Sequence, residues 1–506
     1  MTGVIEVPVW FAVLASLAAG VAILDRVVGP GLRWWLRRRM TRVVGELNDR
    51  LSLRIQPFKL MRRQVIIDQL SHDPQVMQAV EAHIAETGMP RDIAHREVEG
   101  YAREICPSFS ADLYFGVGAR ISRWVARFLY RVRLGSFDRA ALAEVDPDAS
   151  IVFVMNHRSN VDYLLVTYLA AESSALSYAV GEWARVWPLS RLIRAMGAYF
   201  VRRRSRNALY RAVLRRYVQM ATEGGVAQAM FPEGGLSRDG ALAPPKLGLL
   251  SYILDGFDAE SDRDVIFVPV GVNYDRVLED RLLLASDREE ATSGGRRFKV
   301  SLLTSLGFIG GYAFGRLTGR AHRFGYACVS FGAPVSLRRF MKDRGAGEAA
   351  DDPPMYGADD GSDHGGDHGG DHGGDDGGDD GGDDGAAAAL GEALSRRIGE
   401  VIPVLPVSLV AGVMLEETGP LTADEIRVKA RTRADRLVAD GANLHVPRYD
   451  FDYGVDVGLM MLTLRRIVRE TATGFEAEAT ETRILRYYAN AIAHLGRSAE
   501  ADQATS

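Results

Sequence analysis

Between residues 151 and 162 the chain contains the stretch Ile151-Val152-Phe153-Val154-Met155-Asn156-His157-Arg158-Ser159-Asn160-Val161-Asp162. Five consecutive apolar residues bounded by polar ones are typical of a buried strand, and the residues from Val161 to Glu172 have a helical pattern. A strand that continues through a polar turn into a helix is the repeating unit of a parallel α/β sheet. The stretch therefore predicts an α/β fold with polar side chains at the end of a strand.

The same pattern recurs along residues 150 to 335. Four further short apolar runs are Ala198 to Val201, Val226 to Phe231, Val265 to Val272 and Tyr326 to Phe331. Polar clusters follow the run at 151–155 and three of these four, at 156–162, 202–204, 232–235 and 273–276. Because ligands bind beyond the carboxyl ends of strands in open α/β sheets, we expect these clusters to share one crevice.

The 506 residues are too many for one ordinary core, so several folded units are expected. We predict five segments: a membrane anchor with a basic flank at 1–42, a helical region at 43–140, an α/β domain at 141–345, a disordered Gly/Asp/His linker at 346–387 and a helical region at 388–506. Within the first helical region, Ser71 or Asp73 is predicted to cap a helix that carries Pro74 in its first turn and extends to Thr87.

The formal charge of −5 averages two unlike parts of the chain. Residues 351–385 hold thirteen aspartates and no basic residue, and without them the chain carries +8. Glycine entropy and charge repulsion both oppose packing of this tract, which predicts an extended linker. Its His364, His368 and His372 could bind a divalent metal, but the Gly-Gly steps prevent a fixed helical face, so no metal site is predicted.

Composition excludes several classes of protein. Cys106 and Cys328 are the only cysteines, which rules out a disulfide framework, a cysteine-rich zinc site and an iron–sulfur cluster. The basic body is not accompanied by an aromatic-basic strand motif or a helix-turn-helix signature, so no nucleic-acid partner is predicted.

The N-terminal segment Val7–Leu24 has eighteen residues without a charge, about 27 Å as a helix against a hydrocarbon core of about 30 Å. The first six residues carry no basic side chain, whereas six arginines lie between residues 26 and 42. This asymmetry disfavours a cleaved signal peptide and predicts a transmembrane anchor that leaves the following residues in the cytoplasm. An interfacial or buried helix is the alternative, because Pro8, Ser16 and Gly20 weaken the span.

His157 and Asp162 form a His-x4-Asp pair. A neutral imidazole can deprotonate an alcohol, and a carboxylate on its other ring nitrogen fixes the tautomer and stabilises the imidazolium. The spacing also occurs at His445 and Asp450, so it is not specific by itself. The first pair follows an apolar run and opens a helix, which favours it, whereas the alternative is a structural histidine.

The segment Phe231-Pro232-Glu233-Gly234-Gly235-Leu236-Ser237-Arg238 follows another predicted strand. Adjacent glycines let backbone N–H groups approach a ligand, Glu233 can accept hydrogen bonds from a polyol, and Arg238 with Lys246 can hold a phosphate. Lys246 is one of only five lysines beside 56 arginines. A surface turn is the alternative here, and a solvated basic face is the alternative for Arg202 to Arg204.

Taken together, these motifs resemble those of the glycerolipid acyltransferase family. The four ordered segments are His157 to Leu165, Gly197 to Arg203, Phe231 to Arg238 and Val268 to Arg276. The His-Arg-Ser start of the first segment, Pro-Lys-x-Gly at 245–248, Tyr-Asp-Arg at 274–276 and the run 331–337 resemble more closely the branch that acylates glycerol 3-phosphate or dihydroxyacetone phosphate. The chain departs from the family at Leu236, where arginine is common, at Asp239, and in its acidic linker.

The resemblance implies a mixed sheet flanked by helices, and transfer of a fatty acyl group from acyl-CoA or acyl carrier protein to the sn-1 hydroxyl of glycerol 3-phosphate. His157 would be the general base and Asp162 its partner. The residues implied in substrate binding are Arg158, Arg202, Arg203, Glu233, Gly234, Gly235, Arg238, Lys246 and Pro269. No cofactor or metal is implied beyond the acyl donor, and the expected setting is the cytoplasmic side of the cell membrane, among membrane lipids.

Two alternatives stay open from the sequence. The acceptor could be 1-acylglycerol 3-phosphate or dihydroxyacetone phosphate, with the same chemistry. A protein of another class, a noncatalytic membrane scaffold that binds acyl carriers, would be expected to have lost His157 or Asp162, and both are present.

Overall fold

A computed structural model describes residues 55–137, 139–170, 175–181, 189–202, 205, 207–260, 263–285, 324–351 and 384–496. The predicted anchor Val7–Leu24, most of the predicted linker, and Arg203 and Arg204 lie outside these residues. Within them, no helix combines the length and the apolar character that crossing a bilayer requires.

The described chain begins with a group of helices. They are α1 (Pro57–Leu60), α2 (Arg63–Ser71), α3 (Pro74–Thr87), α4 (Arg91–Ile105), a π-helical segment (Asp112–Gly118) and α5 (Ala119–Leu129). The Asp73 carboxylate accepts the Gln75 N–H at 3.0 Å, and Pro74 is the first residue of α3. Asp73, rather than Ser71, is therefore the cap of the predicted helix.

A mixed sheet forms the centre of the fold. Its strands are β1 (Arg131–Phe137), β2 (Ser150–Met155), β3 (Ser177–Gly181), β4 (Tyr199–Val201), β5 (Gln228–Met230), β6 (Val265–Tyr274), β7 (Tyr326–Phe331) and β8 (Val335–Ser336). The strand order is β1-β7-β6-β2-β5-β3-β4, with β8 beside β6. Pairing is parallel except where β7 and β8 run antiparallel to β6. The predicted α/β class with a mixed sheet is confirmed.

Helices cover both faces of this sheet. They are α6 (Arg139–Ala143), α7 (Asp162–Ala170), α8 (Leu189–Ala195), α9 (Ala208–Glu223), α10 (Gly248–Asp255) and α11 (Leu337–Asp351). Strands β2 and β6 lie near the middle of the sheet and are buried along their whole length. Residues that alternate along them contribute to two separate apolar clusters, one on each face.

Strand β1 lies within the segment 43–140, for which the sequence predicted helices only. It pairs in parallel with β7, with Arg131 opposite Tyr326. None of this strand's seven residues is fully buried, and its sequence lacks the apolar run that marked strands such as β2 and β6. A partner nearly two hundred residues away supplies the pairing, which local periodicity does not reveal.

The C-terminal region has α12 (Asp384–Val401), α13 (Pro406–Glu416), α14 (Ala423–Ala439), α15 (Phe451–Leu464) and α16 (Thr482–Asn490). A two-stranded hairpin, β9 (Val468–Thr471) with β10 (Gly474–Ala477), interrupts a region predicted to be helical. Helix α13 is buried on almost all sides, and its apolar residues share one cluster with β2 and β6. The C-terminal region therefore packs into the same core as the sheet.

Candidate active site

The turn after β2 brings His157 and Asp162 together. Asp162 is the first residue of α7, and its Oδ2 lies 3.0 Å from His157 Nδ1. The same oxygen accepts the backbone N–H groups of Arg158, at 2.8 Å, and Ser159, at 3.0 Å. A carboxylate at a helix N-terminus is also stabilised by the helix dipole. The turn thus orients the carboxylate toward the imidazole before any substrate binds.

The second oxygen of Asp162 is held by a tyrosine at the end of the neighbouring strand. Tyr274 is the last residue of β6, and its hydroxyl donates to Asp162 Oδ1 at 2.5 Å. Burial, together with the adjacent Asp162 charge, raises the pKa of Tyr274 well above its usual value, so the hydroxyl stays protonated and remains a donor. Asp162 is fully buried and accepts from Tyr274, two backbone amides and the imidazole.

The imidazole of His157 is packed between aromatic rings. Its ring stacks on Phe231, with centroids 4.0 Å apart and an interplanar angle of 26°, and Tyr163 meets it edge-on at 5.5 Å. The side chain is 2% exposed. The ring is therefore fixed in orientation and shielded from bulk water.

The segment 231–238 holds the backbone of His157 from both sides. Glu233 Oε1 accepts the His157 N–H at 2.7 Å, and the His157 carbonyl accepts the Ser237 N–H at 2.9 Å. Glu233 Oε2 accepts the Ala243 N–H at 3.2 Å, and burial raises the pKa of Glu233 to about 7. In this structure Glu233 positions the histidine, a contact that the predicted polyol-binding role did not include.

Two side chains that were not singled out from the sequence complete the turn. Glu279 accepts from Ser159 Oγ at 2.7 Å and from Asn160 Nδ2 at 3.2 Å, and burial raises its pKa to about 7. Asn156 exchanges two hydrogen bonds with the backbone of Val272, of 2.9 and 2.7 Å. The position of Asn156, between a strand and the histidine, was a local signal. Glu279 offered none, because its partners lie about 120 residues away.

The residues from Phe231 to Lys246, called the glycine loop below, bring Lys246 close to Gly234 beside the histidine. Gly234 has φ of +68°, a conformation that favours glycine, and a Cβ there would lie 2.8 Å from Lys246 Cδ. The Lys246 N–H donates to Pro232 O at 2.8 Å, and the residue is exposed, as is Arg238. Gly234, Gly235, Arg238 and Lys246 therefore belong to one loop system that contacts the His157 backbone.

The side chain of Arg158 contacts Gly240 and the C-terminal region. Its side chain is buried, donates to the Gly240 carbonyl, and lies over the ring of Tyr487 in α16, with Cζ 5.0 Å from the centroid. Gly240 has φ of +87°, and a Cβ there would clash with the Tyr487 backbone. Arg158, predicted as a phosphate ligand, thus links the histidine turn to the C-terminal region through Nη1, while its Nε and Nη2 have no hydrogen-bond partner among the described residues.

The structure does not bring Arg202 to the histidine. Arg202 follows β4 at the edge of the sheet, three strands and about 14 Å from β2. Its guanidinium binds the Glu104 carboxylate through two hydrogen bonds of 2.8 and 2.6 Å. A phosphate ligand would have to compete with that carboxylate. Arg203, the next predicted ligand, lies outside the described residues.

Pro269 lies on the other face of the sheet from His157. It pairs with Val154, and alternation along β6 places it on the side of Phe267, whereas Val270 shares the cluster that contains Phe231. The predicted pocket role for Pro269 therefore has no contact with His157 to support it.

The second His-x4-Asp sequence forms no comparable pair. Asp450 caps α15 by accepting the Tyr453 N–H at 3.1 Å. His445 packs against Tyr326, with ring centroids 5.2 Å apart, and burial lowers its pKa. The same spacing has two outcomes because only His157 lies at the end of a central strand.

Replacing Tyr274 with phenylalanine tests the support of Asp162. We expect Tyr274→Phe to lower turnover about 10- to 100-fold, because a hydrogen bond to a charged group contributes about 1.5–3 kcal/mol. Turnover and KM of the catalysed reaction are the measurement. Tyr130→Phe is the matched control, since Tyr130 is buried against Tyr274 but donates to the Arg276 carbonyl at 2.9 Å. Equal losses in both variants would contradict a specific role for Tyr274.

Two family models match this chain. The family described as Acyltransferase matches residues 140–273, which include the histidine turn and the glycine loop. The family described as Glycerol-3-phosphate acyltransferase C-terminal region matches residues 316–496. The resemblance stated from the motifs is confirmed, and the second match covers the region that packs against Arg158.

Curated relatives carry the same name. The glycerol-3-phosphate acyltransferase of Aeromonas hydrophila is 29% identical over 311 residues, 61% of this chain and 37% of that protein. The protein of that name from Pseudomonas putida is 28% identical over 370 residues, 72% of this chain and 40% of the relative. The one from Pseudomonas paraeruginosa is 30% identical over 320 residues, 62% of this chain and 35% of the relative. The chain thus spans about two fifths of the length of these relatives.

Among solved structures, the 1-acyl-sn-glycerophosphate acyltransferase PlsC from Thermotoga maritima aligns with 48% of this chain and 80% of its own, at 17% identity and a TM-score of 0.26. A score this low adds nothing to what the strand order already establishes.

Proposed function

We propose that this chain, which belongs to the glycerol-3-phosphate acyltransferase branch of the glycerolipid acyltransferase family, transfers a fatty acyl group from a thioester to the sn-1 hydroxyl of glycerol 3-phosphate. The donor is acyl-CoA or acyl carrier protein, and no further cofactor takes part. The observation that carries the proposal is the buried His157–Asp162 pair, 3.0 Å apart, at the end of a central strand. That position in an open sheet is where ligands bind.

In the proposed reaction, Asp162 holds Nδ1 of His157, so the nitrogen that accepts the hydroxyl proton is Nε2. The acceptor oxygen attacks the thioester carbonyl, and collapse of the tetrahedral intermediate breaks the carbon–sulfur bond. The imidazolium then gives its proton to the departing thiolate. The Asp162 carboxylate stabilises the imidazolium between these two steps, and a positioned base of this kind contributes about 10²- to 10⁴-fold.

The phosphate of the acceptor is assigned to the exposed cations of the glycine loop, Lys246 and Arg238. Lys246 lies over Gly234, one residue from Glu233, whose carboxylate binds the His157 backbone. A phosphate held there would place the rest of a small polyol near the imidazole. Arg202 already binds the Glu104 carboxylate, which a phosphate would have to displace. Arg158 donates to Gly240 through one nitrogen only, and its Nε and Nη2 have no hydrogen-bond partner in the part of the chain that the structure describes, so it stays a candidate phosphate ligand.

We further propose that Val7–Leu24 anchors the protein in the cell membrane with the catalytic domain on the cytoplasmic side. The support is the uncharged span and the arginines that follow it. We also propose the division into an N-terminal helical region, an α/β domain, a linker and a C-terminal helical region at the boundaries given above, with two corrections. Strand β1 of the region 43–140 belongs to the sheet, and α11 and α12 extend into the two ends of the predicted linker, to Asp351 and from Asp384.

An assay with three acceptors tests the proposed activity. Purified protein is incubated with glycerol 3-phosphate, dihydroxyacetone phosphate or 1-acylglycerol 3-phosphate, each with palmitoyl-CoA or palmitoyl-acyl carrier protein, and thiol release and product are measured. We expect glycerol 3-phosphate to give the highest kcat/KM. A preference for either other acceptor would replace the proposed substrate but keep the reaction. No acylation of any acceptor, with acyl carrier still bound, would favour the noncatalytic scaffold.

A further inference from the structure

An exposed apolar stripe runs along the π-helical segment and α5. It is defined by Leu113, Val117, Ile121 and Trp124, whose spacing of three and four residues places them on one helical face. Their exposed fractions lie between 38% and 63%, the largest being that of Trp124. The Trp124 ring also stacks on Phe128, with centroids 5.3 Å apart and planes at 11°.

Helix α5 is inverted relative to an ordinary surface helix. Its buried residues are Ser122, Ala126 and Leu129, two of them small, whereas a tryptophan and an isoleucine face outward. Burial in the core normally takes the largest apolar side chains, so the outward face of α5 is not explained by packing within the described chain. A row of exposed large apolar residues indicates a surface that contacts something else.

The charged residues around the stripe indicate which kind of surface it contacts. Residues 113–137 contain five arginines and no aspartate or glutamate. Arg120, Arg123, Arg127 and Arg133 are exposed, and Arg123 and Arg127 lie over the ring of Tyr168, 5.2 and 5.5 Å from its centroid. Asp112, next to Leu113, is also exposed, but the charged side chains from residue 113 to 137 are all cations. Apolar residues that include a tryptophan and are flanked mainly by cations match the boundary between acyl chains and anionic headgroups better than a polar protein surface.

The helix that carries Ile121 and Trp124 of the stripe contacts the helix that begins at Asp162. Helix α5 packs against α7, whose first residue is Asp162, and Arg123 and Arg127 of α5 lie over the ring of Tyr168 in α7. A surface bound to the stripe would therefore lie beside the helix that holds the catalytic carboxylate. Fatty acyl substrates and products that partition into lipid would then enter and leave close to the site.

We propose that the stripe formed by Leu113, Val117, Ile121 and Trp124 docks into the headgroup–acyl boundary of an anionic lipid bilayer, with the flanking arginines on lipid phosphates. This contact is separate from the anchor proposed at residues 7–24. The choice of a lipid as the occupant draws on the proposed function, whereas the stripe and its charge do not.

Fluorescence from a single label tests the contact directly in the full chain. Cys106 and Cys328 are both buried, and burial raises the pKa of each thiol to about 12, so neither competes for a thiol-directed dye. Ile121→Cys is labelled with an environment-sensitive nitrobenzoxadiazole dye and mixed with vesicles of phosphatidylglycerol and phosphatidylcholine. We expect a blue-shifted emission that rises severalfold, is absent with pure phosphatidylcholine, and weakens at high salt.

Leu464→Cys is the matched control. Leu464 is 57% exposed but lies on α15 in the C-terminal region, away from the arginine-flanked stripe. If residues 7–24 alone held the protein on vesicles, the dye would respond at neither position, and the proposal would be wrong. Equal responses at both positions, equal responses to both vesicle types, or a response without vesicles that grows with protein concentration would also overturn it. The last result would point to a second copy of the chain.

A paired activity measurement separates this inference from the proposed function. Ile121→Ser with Trp124→Ala should lose about tenfold in activity on a long-chain donor presented in anionic vesicles and keep its activity on a water-soluble short-chain acyl-CoA. Equal activity of variant and parent on the vesicles would contradict the docking role. Failure of the parent protein to acylate any acceptor would contradict the proposed function only, since the fluorescence result does not depend on catalysis.

Discussion

His157→Ala is expected to lower kcat for acyl transfer by at least about 10³-fold while the chain stays folded. The substitution removes the only nitrogen base at the end of β2 that is paired with a buried carboxylate in the described residues. Positioning and backbone donors would still act on bound substrates, which is why a residual rate is expected. The lost factor corresponds to general-base catalysis together with the stabilisation of the imidazolium by Asp162.

The control for this variant is His445→Ala. His445 has the same spacing to an aspartate, but Asp450 caps a helix and His445 packs on Tyr326. Turnover should stay within about twofold of the parent protein there, since this pair makes no contact that a general base requires. Circular dichroism and thermal unfolding of both variants check the fold, because His157→Ala also removes the stacking contact with Phe231. A His157→Ala variant that retains full activity with correct folding would rule out the proposed base.

Asp162→Asn is expected to lower kcat about 10²- to 10⁴-fold, with a smaller change in KM. The amide is nearly the same size and can keep some of the hydrogen bonds from Arg158, Ser159 and Tyr274. It carries no negative charge, so the imidazolium that forms in the transition state loses its stabilising partner, and the tautomer of the imidazole is no longer enforced. The loss therefore falls on the chemical step.

Asp450→Asn separates this effect from a general response to amide substitution. Asparagine caps a helix about as well as aspartate, so this variant should keep both its stability and its turnover. Asp162→Asn should remain folded, since the carboxylate site already consists of donors that an amide oxygen can satisfy. If the kcat of Asp162→Asn stayed within a few fold of the parent, the carboxylate would be structural and the proposed pair would lose its catalytic meaning.

Local sequence patterns predicted a strand or helix correctly where its own residues form an apolar run or a capping motif. The strands at 150–155 and 326–331 coincide with apolar runs, and the helix that begins at Pro74 was marked by its cap and its proline. They failed at β1, which is partly exposed and whose partner β7 is distant in sequence. They also failed at the hairpin of β9 and β10, whose strands are neighbours in sequence but are short, partly exposed and surrounded by helices.

The candidate site divides in the same way. His157, Asp162 and the glycine loop were predicted because each follows or precedes a strand within a few residues. Tyr274 reaches Asp162 only because β6 pairs with β2, and Glu279 reaches Ser159 only after a further turn of the chain. The predicted uses of Arg158 and Arg202 did not anticipate their partners, Gly240 with Tyr487 and Glu104, because those partners lie 80 residues or more away.

The residues of the histidine turn, their order and their family were determined by the amino-acid sequence alone. Hydrogen bonds to backbone within a turn are local, and a motif of a few residues is enough to specify them. Only the tertiary structure decided which arginines bind partners within the protein, that Tyr274 donates to Asp162, and that an apolar face of α5 is exposed to solvent. These choices depend on how strands pair and helices pack across long separations in the chain, and burial, not local propensity, sets their energies.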